Sequence, residues 1–206
     1  DFLHGAGQTI WKVLPLNPTG YADSPYQCFS AFAGNPLLLS LDRMLEQGLL
    51  RQSDIANVPE FRNDEVAYGK VIEWKYPILR QAARNFFSNS SSELQSQYDA
   101  FCEASASWLD DFALFMAVKE AHSLAMWTKW DKAIARRETK AMKSWRERSA
   151  VSIAAHKFWQ FEFFRQWRAL QQYCRERKIR IMGDIPIYVA HDSADVWARP
   201  DLFHLK

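Results

Sequence analysis

Cysteine is scarce and scattered: Cys28, Cys102 and Cys174 are the three among 206 residues, each more than 70 positions from the next. An odd set at such spacing makes neither a disulfide framework nor a paired-cysteine metal clamp, so all three are expected as reduced structural thiols. The five histidines, His4, His122, His156, His191 and His204, fall in no HExxH or comparable pattern. No metal site is expected. No stretch approaches the roughly 18 uninterrupted apolar residues of a membrane helix, and the first residues carry no basic-then-apolar signal. The chain therefore reads as cytoplasmic, with no membrane partner. A GxxxxGK[ST] phosphate loop and a GxSxG nucleophile turn are both missing. Gly5-Ala6-Gly7 begins like a dinucleotide fingerprint, but position 10 is Ile and the glycines precede a strand instead of following one. Asn89-Ser90-Ser91 matches a glycosylation acceptor, which without a secretory signal reads as chance.

Aromatic residues are plentiful, with 9 Trp, 7 Tyr and 14 Phe, and they exclude disorder by supplying ample surface to bury. Charge is nearly balanced at +2 overall yet uneven locally. Lys129 to Arg148 holds eight basic and three acidic residues, with Trp127, Trp130 and Trp145 interleaved. Single-stranded nucleic acid is bound by such a combination of phosphate contacts and stacking. The alternative is a solvated helix face whose tryptophans anchor the other side. The second reading is favoured, because the rest of the chain offsets the charge, and no nucleic-acid partner is expected.

Along the chain, Asp1 to Ala6 reads as the tail of a helix stopped by Gly5 and Gly7. Thr9 to Leu16 reads as a buried strand ended by Pro15 and Pro18. Asn17 to Pro36 is a long loop carrying Tyr21, Tyr26, Phe29 and Phe32, and aromatic-rich loops of this kind are binding loops more often than linkers. Leu37 to Leu50 reads as a short strand and a helical turn closed by Gly48. Asp64 to Ser123 has helical periodicity, with Trp108, Leu109, Phe112, Phe115 and Val118 on one face and a break at Ser88 to Ser92, where Ser90 or Ser91 caps the next helix. A long helix over Ala150 to Lys178 carries an aromatic stripe that reads as core. Ile179 to Val189 reads as a second, fully buried parallel strand. Strand, helical excursion, amphipathic helix, strand is a βαβ crossover with a helical subdomain inserted, an α/β fold. The expected division is 1–52 and 149–206 as one strand-bearing unit, with 53–148 as the helical insertion.

Chemistry is expected at the two strand ends. The first leads to Tyr21-Ala22-Asp23-Ser24-Pro25-Tyr26, the second to Asp184 and then His191-Asp192. In parallel β/α barrels the ligand site is built at the C-terminal ends of strands. Aromatic faces stack on sugar rings while carboxylates and hydroxyls bond sugar hydroxyls, so this set suits a carbohydrate. Equally, Asp184 could cap backbone N–H groups and Tyr26 could simply pack.

At these residues the sequence resembles a known family. Trp11-Lys12-Val13-Leu14-Pro15-Leu16-Asn17-Pro18-Thr19-Gly20-Tyr21-Ala22-Asp23-Ser24-Pro25-Tyr26-Gln27, continued by Ser30 to Pro36, is similar to the amylomaltases, the 4-α-glucanotransferases of glycoside hydrolase family 77. Gly183 to Phe203 (GDIPIYVAHDSADVWARPDLF) resembles the same family's next strand and loop. The resemblance implies part of a TIM (β/α)8 barrel, about strands 2 and 3, with a mostly helical inserted subdomain. It implies an enzyme moving a segment of α-1,4-glucan between malto-oligosaccharides, by a retaining mechanism with two carboxyls about 5 Å apart. Tyr26, Ser24, Asp184 and Asp192 would contact substrate, and Tyr21 resembles a tyrosine of a second glucan-binding surface. No cofactor is implied, since sugar-to-sugar transfer needs neither redox chemistry nor a nucleotide. Lys12 and Asn17 depart from the commoner Gln and Gly, and Asn17 is expected to tolerate the positive φ that Gly allows.

The family's catalytic segments, Arg-x-Asp-His and Glu-Asp-Leu-Gly, do not occur in this sequence, nor does its Thr-His-Asp. A full barrel needs eight strands and usually about 250 residues. The expectation is therefore a fragment with substrate contacts and no catalytic residues. The alternative is a stand-alone malto-oligosaccharide-binding module.

Overall fold

The fold is given by a computed structural model, which describes residues 1–205 with the side chain of Tyr21 excepted. Helix α1 (Phe2–Gly5) ends where the glycines require, with Gly7 in the left-handed region at φ 70°. Strand β1 (Ile10–Lys12) pairs in parallel with β3 (Arg180–Met182), setting Ile10 beside Arg180, Trp11 beside Ile181 and Lys12 beside Met182. The Arg180 N–H donates to the Thr9 carbonyl (2.8 Å) and the Val13 N–H to that of Met182 (3.0 Å), extending the ladder at both ends. Parallel neighbours require a crossover. Here it holds the entire helical body, so the fold is α/β and mostly helical, as the alternation of patterns predicted.

The strands are shorter than the sequence suggests. Ile179 to Val189 divides into β3 and a separate β4 (Tyr188–Val189), which pairs in parallel with β2 (Gln27–Cys28). Pro186 has no N–H for a ladder, and Asp184 Oδ1 accepts the Ile185 N–H (2.9 Å), a local bond that competes with pairing. Nor are the strands buried on both faces. Ile10 and Met182 are 44% and 49% exposed, and each strand has one partner among the described residues. The strand expected after Leu37 is instead a 3₁₀ turn, Pro36–Leu38, because the Asn35 side chain accepts the Leu37 N–H (3.0 Å). Helix α2 (Leu41–Glu46) follows, capped by Ser40 and ended at Gly48, φ 70°.

Helices α3 (Tyr68–Asn89), α4 (Ser92–Ala104) and α5 (Ala106–Ala121) pack on the 27-residue α8 (Ala150–Glu176), joined by the short α6 (Lys132–Ala135) and by α7 (Thr139–Arg148). Ser91 caps α4, its hydroxyl accepting the Leu94 N–H (3.2 Å). One core gathers Leu79, Phe86, Leu109, Phe158 and Trp159. A second gathers Phe115, Ile134, Trp130, Trp145 and the Trp197 of α9 (Ala194–Ala198). Each such side chain contributes roughly 1.5–3 kcal/mol on burial, and α5 feeds both cores. Trp130 and Trp145 are therefore withdrawn from base stacking, and the Arg148 guanidinium lies 3.1 Å over the Trp145 ring. The basic stripe is the outer face of packed helices.

One polar cluster, half-buried around the fully buried His156, joins α3, α5 and α8. The Glu120 carboxylate accepts from Arg80 (2.7 Å) and Ser152 (2.7 Å), with His156 Nε2 at 3.1 Å. Burial alone would raise its pKa, but His156, Arg80 and Ser152 outweigh that and hold it down at about 2. Among the described residues no helix is long and apolar enough to cross a membrane.

Candidate functional site

Two loops meet beyond the paired strands, one over 17–31 and one over 183–195. The first is shaped by Asn17, whose side-chain N–H groups donate to the carbonyls of Ala31 (2.9 Å) and Ala33 (3.0 Å) and tie the loop ends together. Asn17 is absent from the positive-φ residues, so it serves as a side-chain tie and not as a stand-in for glycine flexibility. Gly20 is needed for space, because a Cβ there would strike the Gln27 carbonyl. Ala22 and Asp23 then take left-handed backbone at φ 54° and 56°, a costly conformation for residues with a Cβ and one that persists where surrounding structure enforces it. The turn ends with the Ser24 hydroxyl accepting the Tyr26 N–H (3.3 Å).

That geometry aims Tyr26 across the gap. Its hydroxyl donates to Asp184 Oδ2 at 3.0 Å, joining residues 158 positions apart in sequence. The phenol pKa is raised, chiefly by this bond and further by burial and the Asp184 charge. Tyr26 is exposed and Asp184 half-buried, so both can exchange their mutual bond for bonds to a ligand. Such a pair offers a carboxylate acceptor, a phenol that donates or accepts, and an aromatic face. Ser24 is half-buried in the same turn. The Tyr21 side chain lies outside the described residues.

Asp192 is placed differently from the other three. One carboxylate oxygen accepts the Trp127 N–H (3.0 Å), and the other receives the ammonium of Lys119, which is 2% exposed. Asp195 plays a parallel part nearby: its carboxylate accepts from the Ser30 hydroxyl (3.0 Å) and the Ala31 N–H (2.7 Å), bolting the first loop to α9. Burial raises the Asp195 pKa, with those two donors pulling against it. Lys119 and Asp195 were not among the site residues expected from the sequence, and Trp127 was expected only as one of the tryptophans interleaved in the basic stripe. A signal for Lys119 existed, since it falls four residues after Phe115 and seven after Phe112, on the face assigned to the core.

Among the described residues no three His, Cys, Asp or Glu side chains gather as a metal site would require, and Cys28 and Cys174 are buried free thiols. Burial pushes the Cys28 thiol to about 11, which leaves it protonated and unreactive. A groove of about 720 Å³ lies elsewhere, between β1, α2 and α8, lined chiefly by apolar side chains such as Trp11, Phe163 and Trp167.

Residues 1–206 match the model of the family described as 4-alpha-glucanotransferase. The chain is 49% identical over 205 residues to a 4-alpha-glucanotransferase of Synechocystis, covering 100% of this chain and 41% of that protein. It is 48% identical over 204 residues to the Thermus thermophilus protein of the same name, covering 99% of the chain and 40% of the relative. Among solved structures, amylomaltase from Streptococcus agalactiae in complex with acarbose superposes with a TM-score of 0.93 at 38% identity, covering 100% of this chain and 41% of that one. The chain thus spans about two fifths of the length of these relatives.

Proposed function

Because the chain belongs to the 4-alpha-glucanotransferase family, we propose that it supplies saccharide contacts to an enzyme that transfers a segment of 1,4-α-glucan to the 4-position of glucose or another glucan. The observation that carries this reading is the Tyr26–Asp184 hydrogen bond. Two residues selected from sequence as sugar contacts, at the ends of different strands, meet at 3.0 Å with both side chains open to ligand. Acarbose in the complex of the S. agalactiae relative is a precedent for such a ligand.

In this reading β1 and β3 are adjacent strands of a (β/α)8 barrel, about the second and third, and 53–148 is a helical insertion between the barrel segments 1–52 and 149–206. Their parallel register and the right position of the loops beyond their C-terminal ends support it. Malto-oligosaccharide binds across those ends. Asp184 accepts from a sugar hydroxyl, Tyr26 bonds another and presents its ring, and Ser24 adds a hydroxyl contact beside them. Asp192 serves the same surface, with lone pairs left beyond those used by Lys119 and Trp127. Tyr21 contributes to a second glucan surface. The carboxylate nucleophile and the acid/base lie on sequence beyond these 206 residues. They form and break the covalent glycosyl-enzyme of a retaining transfer, while the residues described here hold the sugar so that its anomeric carbon is presented to them. The location proposed with this function is the cytoplasm.

The test is disproportionation of maltotriose by the full-length protein, read as glucose release. Activity that falls on Tyr26→Phe and Asp184→Asn, with the folded state intact, is the expected result. Full activity in both variants would overturn the assignment of the site.

A further inference from the structure

We propose that Lys119 is the positioning residue that holds the saccharide-binding loop in register, an inference that rests on the function proposed above. Lys119 lies at the end of α5 and is 2% exposed. An ammonium has three N–H donors, and all three are placed. They go to the carbonyls of Leu124 (3.1 Å) and Ala125 (3.2 Å) and to the Asp192 carboxylate. The rings of Phe29 and Phe115 lie 5.1 and 5.8 Å from the cation. One buried charge thus ties the end of α5, the segment after β2 and the loop after β4, three pieces remote in sequence.

The joint is reinforced on both sides. Asp192 takes the Trp127 N–H, the Trp127 indole donates to the His191 carbonyl (2.8 Å), and the two rings stack with centroids 5.5 Å apart. Ser123 and Leu124 sit in the left-handed region at φ 53° and 62°. Leucine is costly there, and such backbone persists when its surroundings over-determine it. The Lys119 bonds to Leu124 and Ala125 do so. From Asp192 the chain reaches back three residues to Val189, which pairs with Cys28, the next rung joins Tyr188 to Gln27, and Tyr26 directly precedes Gln27. A displacement at Asp192 is therefore passed through a two-rung ladder to Tyr26 and Asp184.

A buried ion pair adds little net stability over a well-packed apolar pair, yet removing one partner is strongly destabilising. That asymmetry separates positioning from bulk stability. In the full-length protein, Lys119→Met, the double variant Lys119→Met/Asp192→Leu and the core control Leu109→Ala are compared by maltoheptaose calorimetry, thermal midpoint and hydrogen exchange of amides 184–191. Lys119→Met should weaken maltoheptaose binding on the order of ten- to hundredfold. Both Lys119 variants should speed exchange in the loop, even though the double variant, in which exchange and midpoint are the readouts because Asp192 itself faces sugar, regains the parental midpoint. Leu109→Ala should lower the midpoint while keeping affinity and loop protection. Parental affinity in Lys119→Met or slow exchange in the double variant would overturn the proposal, as would losses of affinity and loop protection in Leu109→Ala. If the parent itself fails to bind maltoheptaose, the functional reading falls, and the exchange pattern still decides the role of Lys119.

Discussion

In the helical body, Phe86 meets the rings of Phe87, Tyr98, Phe158 and Phe161 at centroid distances from 4.8 to 6.1 Å, a cluster whose contacts are almost wholly apolar. At the strand ends, Tyr26 and Asp184 meet through one hydrogen bond above a two-rung ladder, with Tyr188 76% exposed beside them. The body is held by area removed from water, which is non-directional and tolerant of small shifts. The site is held by directional bonds from a few carboxylates, Asp192 and Asp195 above all. The contrast teaches that the body supplies stability while the loops borrow their geometry from it through named polar joints.

The contrast can be broken at either end. Phe86→Ala should cost about 3–5 kcal/mol, since the ring is fully buried and its neighbours cannot all collapse into the void; urea unfolding of the full-length protein reads this as a lower midpoint. The Glu120 cluster comes next. Its folded pKa of about 2 lies below the ordinary 4.5, so it stabilises above pH 4.5, and the contribution drains away as pH falls toward 2. That amounts to about 3 kcal/mol, and the midpoint of Glu120→Gln should lose this part of its dependence between pH 2 and 5.

Gly34→Ala probes the boundary between the regions. Gln160 clamps the Gly34 N–H (2.7 Å) and carbonyl (2.9 Å), and an added Cβ would run into the Phe163 ring. A loss of roughly 1–3 kcal/mol is expected from overpacking, with weaker saccharide binding because the first loop returns to the helical body at this joint. Tyr26→Phe sits at the far end. It should leave stability within about 0.5 kcal/mol while lowering maltotriose turnover. A large fall in its melting midpoint would blur the division drawn above.

Much of this was legible in residue patterns. Helical spacing from Trp108 to Val118 and the aromatic stripe of α8 announced the body, and proline and glycine flanks announced β1. Tyr26 and Asp184 were candidates by position, phenol and carboxylate following apolar runs, and the family resemblance, not the pattern, favoured sugar contact over packing and capping. The sequence did not reveal where Ile179 to Val189 breaks, since an Asx bond at Asp184 competes with an otherwise apolar pattern. Glu120, Arg80 and His156 were also hidden. Each is ordinary on a helix, and their burial depends on partners 36 to 40 positions away. Pairings across such distances leave no local periodicity to read.

The Tyr26–Asp184 bond has a kinetic corollary. Joining residues 158 positions apart carries a loop-closure cost that nothing local repays, and parallel pairs of this kind form slowly. The helices between them must condense first and shorten the gap. During refolding, tryptophan burial in the body should precede the return of sugar binding, which stopped-flow fluorescence and maltoheptaose binding followed on the same sample would read.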